Sequence, residues 1–232
     1  MSTLDTKSEG ALRPKGTLAT STFATLRHEI IAGEIAPGAR LKIRSLCDRL
    51  NVGISPVREA LNRLTAEGLV KQWDQHGFTV APLTEEDLVD VTTTRCWLNE
   101  IGLRKSIANG DAEWEEDVLL ACHRLTHLPR LVKDDAAYRT REWSAAHMAF
   151  HHALVRASGS SRLTKFCDDL FDVAERYRHV SRRHGRTRNA ADEHKAIADA
   201  AISRDADLAV RLLTEHYWRT TELGREALRQ MG

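Results

Sequence analysis

The punctuation of residues 21–81 constrains this chain more tightly than any other feature. From Ser21 to Ala32 the apolar positions Phe23, Leu26, Ile30 and Ile31 recur at helical spacing. Ala36-Pro37-Gly38 breaks that run into a turn. A second short helix follows, with Ile43, Leu46 and Leu50 on one side. Asn51-Val52-Gly53 interrupts it, since Asn and Gly tolerate a left-handed residue cheaply. A third helix is expected to restart with Ser55 as N-cap and Pro56 at the first helical position, and to run through Val57, Ala60, Leu61 and Leu64 to Gly68. Two strand-like runs, Leu69 to Trp73 and Phe78 to Ala81, then flank Asp74-Gln75-His76-Gly77 as a hairpin. Three helices and a hairpin in this order make a winged helix-turn-helix.

Beyond Pro82-Leu83-Thr84 the character changes. Thr84 followed by Glu85, Glu86 and Asp87 has the form of a helix start. From there to the C-terminus the chain shows only helical periodicity, with breaks near Gly110, Leu128-Pro129, Gly159, Gly185 and Arg204-Asp205. Some six helices are expected, as an antiparallel bundle. The expected fold class is therefore mainly α: a disordered leader over 1–17, a winged domain over 18–82 and an all-α helical domain over 83–232.

Composition excludes several classes. No stretch approaches the roughly 20 apolar residues that span a bilayer, and the first 16 residues are polar, without a signal-peptide core. A cytoplasmic location is expected. Cys47, Cys96, Cys122 and Cys167 stand far apart, which argues against a disulfide or zinc–cysteine framework. Net charge is only +1, yet residues 1–82 carry 11 Lys/Arg against 8 Asp/Glu, so the positive excess sits in the winged part.

The histidines carry the chemistry of the second part. In the run from Trp143 to Leu154, His147, Phe150, His151 and Leu154 share one sector of a helix, and His152 points away. Two imidazoles one turn apart on an inward face form half of a metal site. His194 shares a face with Ile197 and Ala201, and His216 lies in the stripe Ala209, Leu212, Leu213. A lone core histidine is usually satisfied by hydrogen bonds, but four converging ones would be costly to bury without partners. His28, His123, His127, His179 and His184 follow no pattern and are expected at the surface.

The segment Ser55-Pro56-Val57-Arg58-Glu59-Ala60-Leu61 closely resembles the PVREAL signature of the GntR family of bacterial regulators, and the likeness extends over about residues 20 to 82. It implies that Arg58 and Arg44 contact DNA, that Ser55 meets a phosphate at the helix N-terminus, and that His76 and Gly77 form a wing tip reaching the minor groove. Ile54 departs from the pattern, because many members carry arginine there. The second part resembles the FCD-type domain of the FadR-like branch. The motifs are His147-x-x-Phe150-His151, Glu193-His194 and the run from Arg204 to His216. That resemblance implies a divalent metal held by His147, His151, His194 and His216, with His147 standing where Asp or Asn is usual. An all-imidazole set favours zinc or nickel. It also implies that Arg95 clamps an effector carboxylate, with Asn99 in place of the usual Glu, and that Arg178 lines the pocket.

The expectation is a homodimeric repressor that binds a palindromic double-stranded operator and is controlled by a small carboxylate of a catabolic pathway. Two alternatives differ in class. In one the metal itself is the signal. In the other, three histidines with an open metal position serve a zinc hydrolase or lyase, although no Ser/His/Asp or HExxH arrangement accompanies them.

Overall fold

The computed structural model describes residues 17–73, 77–132, 135–186 and 188–231. Helix α1 spans Leu18–Ile31 and starts three residues earlier than the apolar spacing suggests, because the Thr17 hydroxyl accepts from the Thr20 amide at 3.2 Å. Helix α2, Ile43–Leu50, ends on Asn51, which takes the left-handed conformation at φ 52°. Helix α3 spans Ile54–Ala66 with Gly53 as its N-cap, so the expected Ser55 cap is corrected. Ser55 and Pro56 lie one and two residues inside the first turn. Proline is tolerated there because those first amides have no intrahelical acceptor to lose.

A three-stranded antiparallel sheet completes this part. Strand β1 is Arg40–Leu41, β2 is Val70–Trp73 and β3 is Gly77–Val80, in the order β1-β3-β2. Arg40 lies opposite Thr79, and Trp73 opposite Gly77. The two-residue β1 had no signal in the sequence. Leu26, Ile30, Leu46, Val57, Leu61, Leu64, Val70, Phe78 and Val80 form the core.

Among the described residues six α-helices follow: α4 Glu85–Asn109, α5 Ala112–His127, α6 Arg141–Val155, α7 Ser161–Arg183, α8 Ala191–Ile202 and α9 Ala206–Arg229. Thr84 caps α4 by accepting from the Asp87 amide. Arg204 (φ 60°) and Gly185 (φ +71°) turn the chain where breaks were expected. The expectation of helices alone is corrected between α5 and α6, where β4 (Leu131–Val132) pairs antiparallel with β5 (Asp135–Arg139). Pro129 cannot continue a helix, and so short a hairpin leaves no alternation to read. A second core gathers Leu103, Trp114, Trp143, Phe150, Leu154, Ile197, Ala201, Leu213 and Tyr217.

Helix α7 also touches the winged part. Arg27 of α1 bonds Asp172 at 2.6 Å and Glu67 at 2.7 Å. Arg176 donates to the Ala81 carbonyl, and Tyr177 to Asp87. His179, expected at the surface, is buried with its ring against Gly33. Helical periodicity within α7 could not show this, because the covering surface comes from another part of the chain.

Candidate metal centre and DNA-contacting surface

His147 and His151 stand one turn apart on α6, His194 on α8 and His216 on α9, each only 3–5% exposed. One ligand atom from each lies within 4.8 Å of all the others. The Nε2 atoms of His147 and His151 face each other at 3.2 Å. That is close to the spacing of about 3.3 Å between neighbouring nitrogens in a tetrahedral site with zinc–nitrogen bonds of about 2.0–2.1 Å.

Oxygen groups face the outer nitrogens of three of the four rings. Glu193 Oε2 lies 2.9 Å from His216 Nδ1, Tyr217 Oη lies 3.4 Å from His151 Nδ1, and Glu175 Oε2 lies 3.8 Å from His147 Nδ1. Burial raises the Glu193 carboxyl, but His216 and Arg188 outweigh it and hold the pKa down to about 2. Burial, against the pull of Glu193, pushes His216 down to about 4. At neutral pH the pair is therefore a neutral imidazole donating Nδ1–H to a carboxylate, which leaves the Nε2 lone pair available. His151 is held well below its usual value by burial and by the other three histidines. A neutral, anchored imidazole such as His216 is the form a divalent ion needs, and the convergence of four imidazole nitrogens fits one.

A cavity of about 240 Å³ opens on His147, His194 and His216. Its walls carry Arg130, Arg178, Arg182, Arg186 and Arg188. Of the two arginines expected at the effector, Arg178 lines the cavity and pairs with Glu175 at 2.8 Å. Arg95 does not line it. Arg95 is buried with its guanidinium 3.9 Å above the Tyr217 ring, and its Nε has no hydrogen-bond partner among the described residues. Asn99 donates back to the Arg95 carbonyl and offers the Arg95 guanidinium no carboxylate. Sequence reasoning missed Arg130, Arg182, Arg186, Arg188, Glu175 and Tyr217. The arginine density of residues 182–188 was visible but reads equally well as a solvated loop.

On the winged part, Arg44, Ser55 and Arg58 are exposed at the starts of α2 and α3. Neither arginine enters an ion pair among the described residues, so pairing with Asp48 or Glu59 does not occupy them. Both helices begin without a side-chain cap, at Lys42 and Gly53, which leaves their first amides open. Ile54 is 56% exposed beside them. Gly77 opens β3 at φ +84°, and His76 lies outside the described residues.

Residues 18–80 match the model of the gntR family of bacterial regulatory proteins, and residues 90–219 match the FCD domain. The chain belongs to the GntR family. This GntR regulator is 40% identical over 197 residues to the HTH-type transcriptional regulator BphR of Paraburkholderia xenovorans, covering 84% of this chain and 80% of that protein. It is 34% identical over 199 residues to the HTH-type transcriptional repressor GlaR of Escherichia coli, covering 84% and 90%. Among solved structures, a GntR transcriptional regulator from Rhodococcus superposes with a TM-score of 0.71 at 25% identity, covering 88% of this chain and 95% of that one. E. coli McbR superposes at 0.73 with 18% identity, covering 94% and 100%, which speaks for the fold. The regulator therefore binds DNA through its winged helix-turn-helix, and its FCD domain is of a kind that binds small effectors and can hold a metal. Among the described residues no helix is long and apolar enough to cross a membrane.

Proposed function

We propose that this regulator is a repressor whose operator affinity is set by a small organic acid bound beside a divalent metal. The observation that carries this is the four-histidine cluster opening into an arginine-lined cavity. His147, His151, His194 and His216 hold the ion, with zinc or nickel favoured by an all-imidazole set. Such an ion supplies a Lewis-acidic seat for a carboxylate oxygen. Arg178 faces the same carboxylate. Arg95, stacked on the Tyr217 that touches His151, adds positive potential from behind.

On the DNA side, Arg58 and Arg44 reach base edges or phosphates, Ser55 and the open amides of α3 meet a phosphate, and Gly77 with His76 leads the wing. A second copy of the chain doubles this surface for a palindromic site. The exposed Trp97 and Ile101, one turn apart on α4, suit such a contact.

The test is elemental analysis of purified wild type and a His194→Ala/His216→Ala double variant, with DNA binding followed by fluorescence anisotropy. One ion per chain in the wild type, lost in the variant, is expected. No ion in either protein after loading with zinc, nickel or manganese would overturn the metal reading and leave DNA binding standing. Metal-dependent operator affinity that no carboxylate alters would favour the metal itself as signal.

A further inference from the structure

We infer that the outward face of the winged sheet is a second DNA-contacting surface, on which Arg40 and Lys71 take backbone phosphates and the Trp73 indole lies against a deoxyribose. It adjoins the helix starts at Arg44 and Arg58 but lies outside them. It therefore lengthens the stretch of DNA that one chain engages without reading bases.

Strand register places these side chains. Arg40 on β1 and Lys71 on β2 both lie opposite Thr79 of the central strand β3, so all three point to one face. Side chains alternate along a strand, which puts Trp73, two residues after Lys71, on that face as well. The other face turns Leu41, Val70, Phe78 and Val80 into the core. Arg40, Lys71 and Trp73 are all exposed. The indole is 52% exposed yet tethered, its Nε1–H donating to Thr79 Oγ1 at 2.9 Å. Gly77, opposite Trp73, has no side chain to cover it, and nothing lies within 4 Å of where its Cβ would stand.

Charge selects the occupant. Residues 18–80 carry eight Lys/Arg. Arg27 and Arg49 are paired with Glu67, Asp172 and Glu29, and Arg63 stacks on Phe23 at 3.9 Å. The other five, Arg40, Lys42, Arg44, Arg58 and Lys71, enter no ion pair among the described residues. They are not scattered. Arg40, Lys42 and Arg44 follow at alternate positions from β1 into the first turn of α2, and Lys71 extends the row across the sheet. A cleft of about 200 Å³ between Arg40, Lys42, Ser45 and Arg49 joins the sheet to α2, with no acidic residue in its wall.

Adjacent strands lie about 4.8 Å apart, so the backbones carrying Lys71 and Arg40 are about 10 Å apart across the sheet. A row of that length, continued by Lys42 and Arg44, suits a polyanion better than one small anion. Duplex DNA carries one charge per about 1.7 Å of axis, and the row runs without a break into the helix starts of the DNA-binding part. Tryptophan offers a broad apolar face with one polar edge. Here Thr79, between the two cations, takes the polar edge, which leaves the apolar face for the sugar between two phosphates.

The test uses the full-length protein with a mixed-sequence duplex of about 30 base pairs, where binding is electrostatic and independent of sequence. Genomic fragments selected by the wild type serve beside it. Anisotropy titrations across a salt series compare wild type, Arg40→Gln/Lys71→Gln and Arg58→Ala. The double variant is expected to weaken both kinds of DNA by the same factor, about tenfold or more, and to lower the salt slope by about two. Arg40→Lys/Lys71→Arg, which keeps both charges, should keep the wild-type slope. Both residues are exposed and unpaired, so unfolding temperatures should match. Trp73 gives a direct readout in the wild type itself. The part of its tryptophan emission that Trp73→Phe removes should be quenched by acrylamide without DNA and shielded in the complex. An unchanged slope in the double variant, or a Trp73 equally open to acrylamide in the complex, would overturn the second surface. Arg58→Ala reports on the helix starts separately, so their role stands or falls on its own. Shielding of Trp73 that grows with protein concentration alone would also overturn the proposal, because the face would then join two copies of the chain.

Discussion

His179 illustrates how one residue's surroundings set its chemistry. It sits on α7 with its ring packed on Gly33, buried and beside the cationic Arg182 and Arg183. Burial, followed by those two arginines, pushes its pKa from 6.5 to about 4, with Glu175 opposing. The unfolded chain therefore binds a proton between pH 6.5 and 4 that the folded chain refuses. Stability contributed by the neutral ring is complete above pH 6.5 and is lost as the pH falls through that window. Linkage puts the loss at about 2 kcal/mol by pH 5. Urea unfolding midpoints at pH 7.5 and 5 should therefore separate more for wild type than for His179→Gln, which has no proton to take up. Equal acid sensitivity in the two proteins would show that the ring is accessible to protons in the folded state.

At the scale of the element, the two short helices of the winged part present cations where nothing internal consumes them. Arg58 is exposed near the open end of α3 and Arg44 likewise on α2. Arg58→Ala is expected to weaken binding to genomic fragments selected by the wild type by about 5- to 150-fold, equivalent to about 1–3 kcal/mol. Anisotropy titrations across a salt series separate two forms of that loss. A phosphate contact lowers the salt slope by about one, whereas a base contact relaxes sequence preference. An unchanged affinity would remove Arg58 from the interface. Much of this was legible beforehand, because turn residues, caps and apolar spacing are local. Asn51 ended its helix where its chemistry said it should, and Gly110 and Arg204 fall at the expected breaks. The helix face that brings His147 and His151 inward was equally plain. Features that depend on distant partners were not. Strand β1 exists only because β3 lies beside it, and the α3 start shifted because Gly53 adopts the extended cap conformation in place of Ser55. Arg130 and Arg182 became neighbours only through the packing of the segment after α5 against α7.

For the molecule as a whole, α7 is the element both sites share. At 100° per residue, Glu175, Arg178 and Arg182 lie on one face, toward the cavity and histidines. Asp172, Arg176 and His179 lie on the adjoining face, toward Arg27, Ala81 and Gly33. An anion that draws Arg178 and Arg182 away from Glu175 changes the balance of forces on the same helix that holds the winged part. Packed helices respond by shifting between discrete arrangements rather than by bending smoothly. Gly33 is where such a shift is most easily blocked. It sits at φ +69°, and a Cβ there would lie 2.2 Å from the His179 ring, so Gly33→Ala both strains the turn and displaces the ring. The variant should still bind its best anion and still bind DNA. The factor by which each alters the other's affinity, typically about 5- to 150-fold, should fall toward one, and by the same amount in both directions. His179→Ala, which removes the ring without touching the turn, should reduce the factor too and thereby separates loss of the contact from damage to the winged fold. Coupling of wild-type size in both variants would mean that the signal travels by another route than α7.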